Sequence, residues 1–223
     1  MTVRKRAQLS SRKSPQQARS NDLVAAILEA ALQVLAKEGA TRFTTTRVAE
    51  KAGVSVGSIY QYFPNKASIL FRLQADEWRQ TTRMLHDTLQ DARRPPLERL
   101  RRLVHQFVQS ECDEAAMRVA LNDAAPLYRD APEAREVRES SDGVLAAFMR
   151  EALPGATPAA RKLAGGLVKT TLSAVGKEFS EAPRTPREIA RQADAMADMF
   201  CAYLTNLAAT PTRPARTRTR ATR

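Results

Sequence analysis

The chain has 223 residues, 36 Lys+Arg against 24 Asp+Glu, and a hydrophobic fraction of 43%. At roughly 150 residues per domain this length implies one or two domains with a real core, and a total of only 8 Gly with a near-average apolar fraction excludes collagen-like, rod-like and fully disordered chains. The net charge of +12 is concentrated at the ends: residues 1–70 hold 11 basic and 4 acidic residues, residues 71–210 hold 20 of each, and residues 211–223 hold five Arg. A basic front joined to a neutral body points to a polyanionic partner for the front.

In chain order, residues 1–20 carry Arg4, Lys5, Arg6, Arg12, Lys13 and Arg19 with no acid, and read as a disordered basic arm. From Asn21 the apolar residues Val24, Ile27, Leu28, Ala31, Val34 and Leu35 fall on one helical stripe, which Gly39 stops. Thr44 is placed to cap a second helix, Thr45–Ala52, with Phe43 and Val48 as a hydrophobic staple. Gly53 supplies a left-handed turn, Ser55 caps a third helix over Val56–Tyr62, and Pro64 ends it. Asn65 offers a cap for a long fourth helix from Lys66 to about Gln90. Beyond Pro95 and Pro96, proline-punctuated patterns predict helices over 97–114, 114–125, 132–153, 158–180 and 186–209. Residues 210–223 alternate Arg with Thr and Ala and read as a disordered tail, either solubilising or drawn to nucleic acid. No stretch alternates like a strand, so the fold class is all-α.

Two short helices joined by a Gly-containing turn form a helix-turn-helix over about 44–63, whose second helix is slim enough to enter the DNA major groove. The run from Phe43 to Lys66, which contains Ala52-Gly53-Val54-Ser55, Gly57-Ser58, Tyr60 and Tyr62-Phe63, resembles the DNA-binding signature of the tetracycline-repressor (TetR) family. Val48, Ser58 and Ala67 depart mildly from that pattern. The resemblance covers about residues 21–81 and implies an N-terminal three-helix DNA-binding domain followed by a helical effector-binding and dimerisation domain over 82–209. It implies that Tyr62 and Lys66 contact phosphates, that Thr44, Thr45 and Thr46 meet the backbone or a base edge, and that Val56 and Gln61 read bases. On physical grounds, Ser55, Gly57 and Ser58 in the first turn of the third helix let a backbone approach and offer N–H groups to phosphate. Gln61 has the donor–acceptor pair that matches adenine. Tyr60 belongs either to this surface or to the core, while Ile59 and Phe63 belong to the core. Lys66 places a cation in a helix's first turn, unfavourable until a phosphate arrives; the alternative is an ordinary solvated lysine.

The resemblance further implies that the body senses a small molecule and forms a homodimer. The penultimate helix carries Leu163, Leu167, Leu172, Val175 and Phe179, and the last carries Ile189, Met196, Phe200, Tyr203 and Leu207. These stripes suit either a four-helix interface between two chains or packing within one. Trp78, Phe107, Cys112, Met117, Phe148 and Met149 are candidates to line an effector pocket, although apolar residues at helical spacing more often build cores.

Cys112 and Cys201 form no Cys-x-x-Cys pair and His86 and His105 have no metal-ligand spacing, so no disulfide, metal or cofactor is expected. The longest stretches free of charge are 14 residues, Ala52–Asn65 and Met199–Thr212, against roughly 18–20 for a membrane span. No apolar segment follows Arg4–Arg6, so no secretory signal is expected and a cytoplasmic, nucleoid-associated location is. No nucleophile triad, phosphate loop or paired-carboxylate motif appears, which disfavours an enzyme. The leading expectation is a sequence-specific transcriptional regulator, a repressor released from double-stranded operator DNA by an effector. The alternative is a sequence-independent architectural DNA-binding protein that uses its Arg-rich ends.

Overall fold

Proline and glycine punctuate this chain where its helices begin and end. The computed structural model describes residues 18–127 and 132–209, with side chains over 20–127 and 142–209. Helix α1 spans Ala18–Arg42, with Gly39 at φ 72° breaking its last turn; α2 is Thr45–Ala52, α3 Val56–Tyr62 and α4 Lys66–Leu89. Then come α5 (Pro96–Asp113), α6 (Ala115–Ala124) with a short 3-10 turn at Ala125–Leu127, α7 (Pro132–Ala152), α8 (Pro158–Ser180) and α9 (Pro186–Ala209). Helices α5, α7, α8 and α9 each begin on a proline, whose missing N–H and fixed φ suit a first helical position. No strand occurs among the described residues. The segment read as an arm is helical from Ala18, where α1 starts; its remainder, residues 1–17, and the tail at 210–223 lie outside the described residues.

Two hydrophobic cores are built, and both draw on α4. The first gathers Ile27, Ala31 and Leu35 of α1, Phe43, Val48 and Ala49, Ile59 and Phe63, and the N-terminal half of α4 through Ala75. It also takes in Ala120, Leu121 and Ala124 of α6, which packs on α1. The second gathers Leu89 of α4 with Leu100, Leu103 and Val104 of α5, Phe148 and Met149 of α7, Ala164 and Val168 of α8, and Ile189, Met196 and Phe200 of α9. Helix α5 is the centre of this second body and packs against α4, α8 and, most extensively, α9.

The junctions are fixed by polar contacts. Asn65 Oδ1 accepts from the Ser68 amide at 2.9 Å while Ser68 Oγ accepts from the Asn65 amide at 3.4 Å, a reciprocal capping box at the head of α4. At the other end of α4, the buried Arg99 of α5 donates to the Leu89 carbonyl at 2.6 Å, pairs with Glu151 of α7 and lies 5.9 Å from the Phe148 ring centroid. Removing the α4 cap in Asn65→Ala is expected to cost about 1 kcal/mol of stability, read by chemical denaturation, with the helix content of the folded state unchanged.

Candidate functional site

The turn between α2 and α3 is closed at both sides by its own sequence. Gly53 adopts φ 67°, which a β-carbon would make strained, and its amide bonds to the Glu50 carbonyl at 3.3 Å while the Val54 amide reaches the Ala49 carbonyl at 3.0 Å. This pair of bonds is a Schellman stop for α2. Thr44 Oγ1 accepts from the Arg47 amide at 3.3 Å at the start of α2, and Ser55 Oγ accepts from the Ser58 amide at 3.0 Å at the start of α3. The Ser55 and Ser58 hydroxyls also lie 2.8 Å apart. Across the turn, Thr45 Oγ1 and Tyr60 Oη are 3.3 Å apart and tie α2 to α3. Arg47 pairs with Glu38 of α1, so its charge is already partly engaged.

On this frame Thr44, Thr46, Ser55, Gly57, Tyr60, Gln61 and Lys66 are exposed, and Thr45 and Ser58 are half-buried. Two residues of the expected set are less open than most of the rest. Tyr62, given a phosphate contact by resemblance, is only 7% exposed and belongs to the first core, whereas Tyr60 is 41% exposed and is the outward-facing aromatic. The reason is helical phase: Tyr62 lies three positions after the buried Ile59, on the inner face of α3, and Tyr60 does not. Val56, expected to read bases, is half-buried and packs against the same core.

A cavity of about 500 Å³ opens between α4, α5, α6 and α8. Trp78 and Phe107 line it, and Leu103, Leu145, Val168 and Leu172 complete its apolar wall. Four of the expected lining residues lie elsewhere. Phe148 and Met149 are buried in the second core, the half-buried Cys112 packs against that core, and Met117 packs against the first. What sequence reasoning missed is the charged end of the cavity, where Arg118 of α6 lies 3.1 Å from Glu77 of α4, pairs with Glu111 of α5, and lies 3.3 Å from Glu114 at the head of α6. Burial pushes the Glu77 and Glu111 carboxyls above the ordinary carboxylate range, and the Arg118 charge only partly offsets it. The signal was present: Glu77 falls on the stripe of Leu70 and Leu73, and a charge on the inner stripe of a helix needs a partner or a purpose. Gly176 of α8 sits against this end, where an added β-carbon would lie 3.1 Å from Phe107 and 3.2 Å from Glu111.

The stripes expected at a dimer interface divide differently. Ile189, Met196 and Phe200 are buried within the protomer, facing α5, and Leu172 is buried beside the cavity; Val175, Phe179, Tyr203 and Leu207 are half-buried against the second core. Helix α5 covers Ile189, Met196 and Phe200 of the α9 stripe within the chain, and Tyr203 and Leu207 of the same stripe are left half-buried. Leu163 at 62% and Leu167 at 47% exposure remain outward on α8, with Met199 at 50% on α9.

Two family models match the chain. Residues 27–73 match bacterial regulatory proteins of the tetR family, and residues 95–207 match the tetracyclin repressor-like C-terminal domain. The chain belongs to the TetR family. Regulators of this family bind operator DNA, act as dimers and bind small-molecule effectors. Among its relatives, the HTH-type transcriptional repressor KstR of Rhodococcus jostii is 32% identical over 111 residues, 50% of each chain. The fatty acid metabolism regulator protein of Bacillus subtilis is 32% identical over 65 residues, 29% of this chain and 34% of that protein. The chain thus matches half or less of the length of these relatives. A TetR-family structure from Mesorhizobium loti superposes with a TM-score of 0.68 at 19% identity, over 84% of this chain and 98% of the other. The fatty acid degradation regulator FadR of Bacillus halodurans superposes at 0.62 and 18% identity, over 85% and 96%. These two structures share the chain's helical fold. Among the described residues no group of His, Cys, Asp and Glu could hold a metal ion, and no helix is long and apolar enough to cross a membrane.

The raised carboxyls of Glu77 and Glu111 bind protons more tightly in the folded chain than in the unfolded one. The stability they lend is complete below the ordinary carboxyl range and is lost as pH rises through their raised folded values. Thermal unfolding of the wild type and Glu111→Gln between about pH 4 and pH 8 should therefore show the wild type losing ground to the variant as pH rises. A difference independent of pH would show that Glu111 titrates normally.

Proposed function

We propose that this chain is a sequence-specific DNA-binding transcriptional regulator, a repressor that leaves its operator when a small molecule enters the cavity. The observation that carries the proposal is the separately capped α3, which with its cap Ser55 presents Gly57, Tyr60 and Gln61 outward beyond a turn closed by Gly53, next to the exposed Lys66 at the head of α4. The free N–H groups at the start of α3 and the Lys66 ammonium suit phosphate, and Gln61 suits an adenine edge. Relatives named as a transcriptional repressor and a fatty acid metabolism regulator favour regulation over architectural binding.

Release follows from two shared helices. Helix α4 runs from the recognition turn to the second core, and α6 both packs on α1 and carries Arg118 into the cavity. A molecule that displaces α6 or the middle of α4 changes how the first core is seated. In a homodimer, with two recognition helices about 34 Å apart, such a shift spoils the fit to two half-sites. The exposed Leu163 and Leu167 on α8 are the apolar residues we assign to the contact between protomers. A neighbouring structure is a complex with triclosan, and the apolar wall here suits a hydrophobic guest of that general kind.

Gel-shift and footprinting on the DNA flanking the gene test this reading, with random DNA as competitor; a specific regulator should prefer its site by roughly a thousand-fold or more. Equal affinity for random DNA would favour the architectural alternative. Lys66→Ala should weaken binding to every sequence and reduce the salt slope by about one ion per half-site, whereas Gln61→Ala should relax preference at a single base pair. Identical behaviour of the two variants in a salt and sequence titration would overturn these roles.

A further inference from the structure

The cavity is apolar on one side and acidic at one end. Its aromatic wall is Trp78 and Phe107; its end is formed by Glu77 of α4 and Glu111 of α5, with Glu114 behind them. Among the described residues the one cation paired with these three carboxylates is Arg118 of α6. On the α8 side, Lys169 is paired with Asp142 of α7, while Lys177 and Glu181 are exposed at the rim. Among the described residues, then, the buried end of the chamber holds three carboxylates against one guanidinium.

We infer that the cavity takes an amphiphilic organic cation, with its apolar body against Trp78 and Phe107 and a protonated or quaternary amine directed to Glu77 and Glu111. This rests on the reading of the cavity as the effector site. A cation would supply the charge that Arg118 alone does not, and quaternary ammonium groups are held well by aromatic faces. An anionic head would approach two like charges and would have to compete with them for Arg118. A neutral head would leave the surplus charge where it is. Burial drives both carboxyls toward the protonated form and the Arg118 charge offsets this only in part, so a second cation at this end would favour their ionised forms. The inference sets this chain apart from any assumption that its guest is a free fatty acid, since a carboxylate fits the acidic end worst.

The chain's single tryptophan lies in the cavity wall, so its fluorescence reports occupancy. The probes are decyltrimethylammonium, decanesulfonate and decanol, which share a chain length and differ in head charge, each below its micellar concentration and titrated into the full chain. The ammonium is expected to bind at least about ten-fold tighter than the other two, and Glu77→Gln and Glu111→Gln each to lose about ten-fold of that affinity. Decanol affinity of each variant should stay near the wild-type value, which also shows that the cavity has survived the substitution. Sulfonate or decanol binding as tightly as the ammonium would overturn the inference, as would unchanged ammonium affinity in both variants or no response of Trp78 to any probe. Operator release, followed separately by fluorescence anisotropy of labelled DNA, isolates the regulatory reading. An ammonium that fills the cavity without loosening DNA would sink that reading and leave the charge assignment standing.

Discussion

Helix α4 cannot move without disturbing both hydrophobic cores, and the rest of the architecture depends on that constraint. Its first half is sealed among α1, α2 and α3, and its last turn is sealed under α5. At 1.5 Å per residue its 24 residues extend about 36 Å, a length comparable with a small domain. Both ends are pinned by specific polar contacts, a capping box at Asn65–Ser68 and the Arg99 guanidinium on the Leu89 carbonyl. Only the middle, around Gln74 to Leu85, faces the cavity. A strut fixed at its ends and open at its centre converts a local push into a displacement of what it supports.

The charges around Arg118 have a similar logic. Carboxylates from α4, α5 and the head of α6 converge on one guanidinium, so three backbone segments meet at a point where water is scarce. Such a cluster is a poor source of net stability, because desolvation consumes much of the Coulombic gain. Apolar side chains would hold the helices together as well. In the proposed effector site the cluster would be a polar contact that a guest rearranges, and α6, which carries Arg118, also packs into the first core through Ala120, Leu121 and Ala124.

Much of this was legible in the residues themselves. Helix limits followed from proline at helix starts and from caps at Thr44, Ser55 and Asn65, each of which acts locally. The turn at Gly53 was legible for the same reason. Less was legible wherever the answer depended on what another segment supplies. Tyr60 and Tyr62 are chemically equivalent neighbours, and only the packing of α3 on α1 and α4 decides which one turns inward. The α9 stripe looked the same whether α5 or a second chain covered it. Phe148 and Met149 satisfied every compositional criterion for a pocket wall, yet both are buried in the second core and neither lines the chamber. Glu77 was visible as an oddity on an apolar stripe, but its ionic partner Arg118 comes from 41 positions away in the sequence.

Gly176 leaves one further mark on the molecule. A methyl group there would lie 3.1 Å from Phe107 and 3.2 Å from Glu111, so these side chains of α5 would have to give by a few tenths of an ångström. The bore of the chamber is thus governed by an atom that is missing. Enlarging any wall residue merely fills volume, whereas a single carbon here would act as a wedge, and the wedge would be driven at the charged end.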